Sequence, residues 1–237
     1  MSVTGIVAAL TAEARTLRAV QTGQPPVAAG TGTISTLPDG NLLIISGMGP
    51  EAATRASWAL VAAGAQGLVS FGLAGALDPG LGAGAVLLPQ AVTDGTDTLA
   101  ATCDLWRGSL AALPHSSVGG TLLSVAQPLS TRAAKSLAWS RTGARAVDME
   151  SFAIGRVARE AGIKFAVARV IIDTAADGVP PSVVRATDPY GEVAYPRLLA
   201  GLLRDPAEVF ALLGLAQRYR IAMRSLRAVA RSGLGFS

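Results

Sequence analysis

The chain has 237 residues; half are apolar, 15% are charged and 5% are aromatic, which supports a packed core of small side chains and excludes a disordered chain. One cysteine, Cys103, excludes an internal disulfide and a cysteine-rich metal site, and one histidine, His115, removes most support for a Ser-His-Asp triad or a histidine zinc site. The net charge of +4 sits in the tail: from Arg204 onward six arginines face Asp205 and Glu208, while the first 203 residues hold fourteen basic and fourteen acidic side chains. A nucleic-acid enzyme spreads basic residues around its site, and this chain does not.

Residues 3–9 form an apolar run that reads as a buried strand, with no basic segment ahead of it to suggest a signal peptide. Thr11 is placed to cap the helix that follows. One short strand is expected near 33–36, and another at 41–46. Gly47-Met48-Gly49 makes a tight turn, and Pro50 opens a helix to about residue 63. Residues 56–77 carry no charge but are broken by Gly64, Gln66, Gly67, Gly72 and Gly75. They read as helix, turn, buried strand and glycine loop, not as a membrane span. Strands are expected at 68–71, 85–89, 121–125 and 145–149, and helices at 97–113, 130–141 and 150–161. The apolar face of the last is Phe152, Ala153, Val157 and Ala161, with Arg156, Arg159 and Glu160 outward. Residues 165–172 are nearly all apolar, as in a central strand covered on both faces. Residues 180–190 read as a loop. Strands alternating with helices imply a single α/β layered domain with a largely parallel sheet.

Three acids stand where a strand hands over to a loop or helix: Glu13, Glu150 and Asp173. Ligands of open α/β sheets bind at such strand ends, so the three can share a pocket. The plainer alternative is that each caps a helix or meets a surface arginine.

Ala146-Val147-Asp148-Met149-Glu150-Ser151, followed after the apolar run by Asp173, resembles the signature of the purine nucleoside phosphorylase and nucleosidase superfamily. Gly5-Ile6-Val7-Ala8-Ala9-Leu10-Thr11-Ala12-Glu13 resembles the first strand and turn of the methylthioadenosine/adenosylhomocysteine nucleosidases. Ser70-Phe71-Gly72-Leu73-Ala74-Gly75 with Gly80-Leu81-Gly82-Ala83-Gly84 resembles their central glycine-rich stretch. The likeness runs from residue 3 to about 178. It implies a nucleoside phosphorylase-like α/β domain of three layers over 1–203, a central mixed, largely parallel sheet flanked by helices, with a helical extension at 204–237 packed on it. It implies that Met149 lies against the sugar and that Glu150 accepts hydrogen bonds from ribose hydroxyls. Asp173 matches the general acid for N7 of the leaving purine, and burial should raise its pKa. Glu13 matches the carboxylate that deprotonates the attacking water. Gly47, Met48, Gly49, Gly72, Ala74 and Gly75 match loops around substrate or an anion.

The superfamily performs hydrolysis and phosphorolysis. Its phosphorylases hold phosphate with an arginine and a serine at positions that here are Leu73 and Ser70. Leu73 cannot bind an anion, and the nearest substitutes are Arg15 and Arg55. Retention of Glu13 favours water as nucleophile, while the N–H groups of Gly47-Met48-Gly49 could serve an anion. Two departures make the pocket more apolar: Ile172 ahead of the aspartate, and the lack of the nucleosidases' base-loop motif in 127–140. Neither a metal nor an organic cofactor is implied; phosphate is the one candidate co-substrate.

Pro180-Pro181, Asp188-Pro189-Tyr190-Gly191, residues 198–204 and the Arg-rich end resemble the hopanoid-associated phosphorylases, whose substrate is adenosylhopane. A helix over 206–231 puts Val209, Leu212, Leu213, Ala216, Met223 and Leu226 on one side and Arg220, Arg224, Arg227 and Arg231 on another. A basic amphipathic helix either packs on the core with a solvated arginine face or lies on an anionic membrane. The expected setting is cytoplasmic, with the inner membrane surface as a peripheral contact, and relatives imply a homodimer. Rival classes fare poorly. A dinucleotide enzyme needs Gly-x-Gly-x-x-Gly after its first strand, where Leu10-Thr11-Ala12 stands. A DNA glycosylase needs a basic groove. A binding-only protein would lack the acid.

Overall fold

The computed structural model describes residues 2–22, 32–101, 110, 112–113, 115–206 and 208–234. In chain order these give β1 (Thr4–Ala8), α1 (Thr11–Thr22), β2 (Ser35–Thr36), β3 (Leu42–Ile45), α2 (Pro50–Ala62), β4 (Gly67–Ala76), β5 (Val86–Leu88), β6 (Ala91–Thr93), β7 (Thr98–Ala100), β8 (Ser116–Val118), β9 (Thr121–Ser124), α3 (Arg132–Thr142), β10 (Ala146–Asp148), α4 (Ser151–Glu160), β11 (Lys164–Asp173), α5 (Pro181–Ala186), α6 (Tyr195–Arg204) and α7 (Glu208–Arg231).

The two ten-residue strands, β4 and β11, are the axis of the molecule. They run parallel from the Gly67–Lys164 pair to the Gly75–Asp173 pair, with a register shift between Ile171 and Asp173. Both are buried on both faces, which is why their sequences are almost uninterrupted apolar runs. β1 lies parallel to β4 on its other side and carries β3 and β2 outward. Two branches leave the axis at its far end. β10 pairs antiparallel with Gly75 and Ala76 and leads to β9, β6 and β7; β5 pairs antiparallel with β11 and leads to β8. The sheet is therefore mixed and mainly parallel, as expected.

Alternation along the strands feeds two helical layers. Ile6 and Ala8 of β1 pack with Ala14 and Leu17 of α1 and with Met223 and Leu226 of α7. Val7 faces the opposite layer, with Leu60 of α2 and Ile154 and Val157 of α4. This period of two is what a sheet covered on both faces requires.

Several expectations are corrected. The glycine-bearing stretch after Phe71 is not a loop: β4 continues through Gly72 to Ala76. The helix expected at 97–113 is replaced at its start by β7, while residues 102–109 and 111 lie outside the described residues. Pro181 does not sit in a loop but opens α5, whose first N–H would be unpaired in any case. Thr11 is the first residue of α1, not its cap. The side chain of Glu13 does the capping, accepting the Leu10 N–H at 3.0 Å. On α4 Ala153 and Val157 are buried and Arg156, Arg159 and Glu160 exposed, as expected, but Ser151, Ile154 and Ala158 join the buried set while Phe152 and Ala161 are only half-buried.

The C-terminal helix divides along its length. Ala222, Met223, Leu226, Val229 and Ala230 are buried against the core. Val209 and Leu213, expected on the packed side, are exposed, and so is Phe210 at 81%. Arg220, Arg224, Arg227 and Arg231 face solvent. Among the described residues, no helix is long and apolar enough to cross a membrane.

Candidate active site

The three acids meet in one pocket at the C-terminal end of the axis. Glu13, Glu150 and Asp173 line it, together with Met48, Leu73, Ala74, Gly75, Asp148, Met149, Lys135 and apolar walls that include Leu10, Leu129, Ile172 and Val179. It encloses about 210 Å³.

Glu13 sits in the first turn of α1, where a helix N-terminus favours a carboxylate. Its Oε1 accepts the Leu73 N–H at 2.8 Å and its Oε2 the Leu10 N–H, so both oxygens are fixed by backbone. Burial pushes its pKa up; the Arg169 charge and these N–H groups pull the other way without cancelling it. Gly72 explains this close approach. A Cβ there would collide with the Glu13 carboxylate and with the Arg169 guanidinium, so the strand carries no side chain where the acid must lie against it.

Glu150 is the last residue before α4 and receives the Gly49 N–H at 2.8 Å on Oε1. Burial, then the neighbouring Asp148 carboxylate, lifts its pKa to about 7, against the opposing Arg169 charge. Asp173 ends β11. Burial raises its pKa, Lys135 opposes the rise, and Asp177 adds to it.

Under the acids lies a charged network that motif matching did not single out. Arg169 is 1% exposed in the middle of β11. Its Nη2 stands 2.6 Å from Asp148, 2.7 Å from Ser70 Oγ and 3.7 Å from Glu150. Ser70 and Ser151 share a hydrogen bond of 2.8 Å, and Asp148 accepts from the Ser124 and Ser151 hydroxyls. Burial alone would lower the Arg169 pKa, but the carboxylates of Asp148, Glu150 and Glu13 hold its proton and raise it instead. The signal was in the sequence: Arg169 is the one charge inside an apolar strand, and a charge so placed must be paired.

The arginines suggested for phosphate are elsewhere. Arg15 is exposed and reaches Glu192 at 3.8 Å; Arg55 is exposed on α2; neither lines the pocket. The anion turn is also spoken for. The N–H groups of Gly47, Met48 and Gly49 donate to Ala9 O, Pro189 O and Glu150, so none is free for an anion. His115 is exposed and outside the pocket lining.

The arrangement offers a carboxyl with a raised pKa at one end, able to give a proton. At the other end is Glu13, whose two backbone N–H donors favour its carboxylate form, and between them Glu150 beside Met149. The family profile described as the phosphorylase superfamily matches residues 3–189. The fold is similar to a methylthioadenosine/adenosylhomocysteine nucleosidase of Neisseria meningitidis in complex with methylthio-immucillin-A: TM-score 0.71, 16% identity, 98% of each chain covered. A mutant nucleosidase of Helicobacter pylori with 5'-methylthioadenosine in its active site gives 0.65 at 17% identity over 86% of this chain and 99% of its own. The native futalosine hydrolase of Helicobacter pylori gives 0.65 at 17% over 97% of each chain. No curated protein matches the sequence.

Proposed function

The chain belongs to the phosphorylase superfamily, and we propose that its pocket breaks the N-glycosidic bond of a purine nucleoside with water as nucleophile. The observation that carries this is the convergence of Glu13, Glu150 and Asp173 on one cavity whose described lining contains no arginine. Asp173 gives its proton to N7, so the base leaves with the C1'–N9 electron pair as a neutral purine. A positioned acid of this kind contributes about 10²–10⁴-fold. The ribosyl fragment becomes cationic as the bond stretches, and the carboxylate of Glu150 beside the sugar favours that state over the ground state. Glu13, held by two backbone N–H groups, takes a proton from water while the water oxygen bonds to C1'. Those N–H groups and the Arg169 charge favour its carboxylate form against the burial that opposes it.

For the substrate we propose an adenine nucleoside with a bulky apolar 5' group, adenosylhopane by the resemblance of residues 180–204. The cavity is smaller than the roughly 300–1,000 Å³ usual for ligand clefts, so such a group must extend beyond it, and the cavity's walls are largely apolar. A membrane-docking role for the exposed residues of α6 and α7, and a homodimer, belong to the same proposal. Phosphorolysis is the competing reading, and the solvent-facing Arg15 and Arg55 weigh against it.

The test is adenine release from methylthioadenosine, adenosine, inosine and adenosylhopane in detergent, each with and without phosphate. Release independent of phosphate, fastest from the lipid nucleoside, is expected. Strict phosphate dependence overturns the hydrolytic step; equal rates for methylthioadenosine overturn the lipid substrate.

A further inference from the structure

Helix α3 is docked through a lysine. Lys135 is the fully buried residue of this helix, 1% exposed, and it lines the pocket. Its Nζ donates to Asp173 Oδ2 and, at 2.8 Å, to Thr174 O. Burying an ammonium is costly, and a buried ion pair gives little stability over an apolar pair of the same volume. A fully buried pair at a pocket, one of whose members is the proposed acid, points to function.

Resting on the nucleoside-cleaving reading, we propose that Lys135 is the positioning residue of the leaving-group acid. It holds one oxygen of Asp173, leaves the other for the base, and sets a positive charge beside the carboxylate that forms when the proton passes to N7. The step balances: Asp173 loses a proton and becomes anionic, N7 gains it, and the C1'–N9 pair goes to the base. Lys135 keeps its own protons and stabilises the new anion. The other charged groups facing Asp173 are Asp177, after β11, and Arg218 from α7, which pair at 3.3 Å. Glu13, Asp148 and Glu150 lie across the pocket. Asp177 pushes the acid's pKa up and Arg218 lowers it, so Lys135 is the principal charge opposing burial.

The test compares wild type with K135M and K135Q on two substrates: a purine nucleoside, and p-nitrophenyl riboside, whose phenolate leaves without a proton. With the purine substrate, kcat at neutral pH should fall roughly tenfold with little change in KM. The alkaline limb of its pH profile should move up by about 1–3 units, the amount by which an adjacent opposite charge lowers a carboxyl pKa. Release of p-nitrophenolate should be unchanged, and K135R, which keeps the charge, should keep the limb near its wild-type position. Equal losses on both substrates, or an unmoved limb, overturn the proposal and leave Lys135 a packing residue. Where the single variants do not fold, the D173N background decides: there K135M removes the last charge of the pair and should cost no further activity, and an added loss overturns the proposal. Wild type inert on every purine nucleoside refutes the functional reading itself.

Discussion

The strand-end pocket and the C-terminal helices break the same rule in opposite directions. At the pocket, charged groups are inside: Glu13, Lys135, Asp148, Glu150, Arg169 and Asp173 are all buried. At α6 and the start of α7, large apolar groups are outside: Tyr195, Leu199, Leu203, Phe210 and Leu213 are each at least 60% exposed. Ordinary folding favours neither arrangement. The buried charges are nevertheless closely partnered, whereas among the described residues nothing covers the apolar stripe. The first departure is satisfied within the molecule; the second is not, among the described residues.

The largest effect should come from the acid. D173N removes the proton for N7 and should lower kcat on a purine nucleoside by about 10²–10⁴-fold. The substitution also leaves the buried Lys135 without its counter-charge, so a circular dichroism spectrum like that of wild type must accompany the loss for it to count. A loss below tenfold would sink the assignment of Asp173.

Next comes the floor beneath it. R169M strips the counter-charge from Asp148 and Glu150, both buried. Removing one partner of a buried ion pair costs about 3–5 kcal/mol. Urea unfolding followed by circular dichroism should show a loss of that order; a loss under about 1 kcal/mol would mean that the network is not carried by Arg169.

A smaller, pH-dependent effect follows from Glu150. Its folded pKa of about 7 lies above the ordinary value of 4.5, so the folded state holds a proton that the unfolded state has released. Stability is therefore full below the unfolded value and is lost as pH rises through about 7. Glu13 and Asp173, also raised, act in the same direction. The melting temperature should fall from pH 5 to pH 8, and E150Q, which cannot ionise, should flatten that slope. An identical slope in E150Q would place the titration elsewhere.

The two regions also differed in how far they could be read. The apolar runs of β1, β4 and β11 identified the axis, because a strand buried on both faces admits few polar residues. Glu13, Glu150 and Asp173 stood out as acids just past β1, past β10 and at the end of β11, but position alone left open a cap or a surface ion pair, and their roles rested on the resemblance around them. Lys135 did not stand out. In Arg132-Ala133-Ala134-Lys135-Ser136 it has the pattern of any solvated helical lysine, and only its contacts with Asp173 and Thr174 reveal why it is buried. Strands β6, β7 and β8 have three residues each, too short for alternation to declare itself. The end of β4 was hidden by glycines, whose meaning at Gly72 is the approach of Glu13 from another element. The fold of α7 was legible, but not which half would be covered. Amphipathicity marks a face and says nothing of the length over which a partner exists.

The smallest effect on the folded chain should come from that uncovered stripe. L203S and F210S replace side chains that are 75% and 81% exposed. Exposed substitutions of this kind usually change stability by no more than about 0.5 kcal/mol. The double variant should also cleave a soluble purine nucleoside at the wild-type rate, since neither residue lines the pocket. Any difference should appear only when the substrate is a lipid nucleoside held in vesicles. There, loss of apolar contact weakens docking and lowers the rate at limiting lipid, with kcat at saturating lipid retained. Anionic vesicles should magnify the contrast, because Arg197 and Arg204 on α6 and Arg220 and Arg224 on α7 are exposed. Co-sedimentation with such vesicles separates the two causes. Wild type that pellets while L203S/F210S stays in solution ties the stripe to the membrane; equal sedimentation of both, or of neither, removes the stripe from membrane docking and leaves the pocket's chemistry untouched.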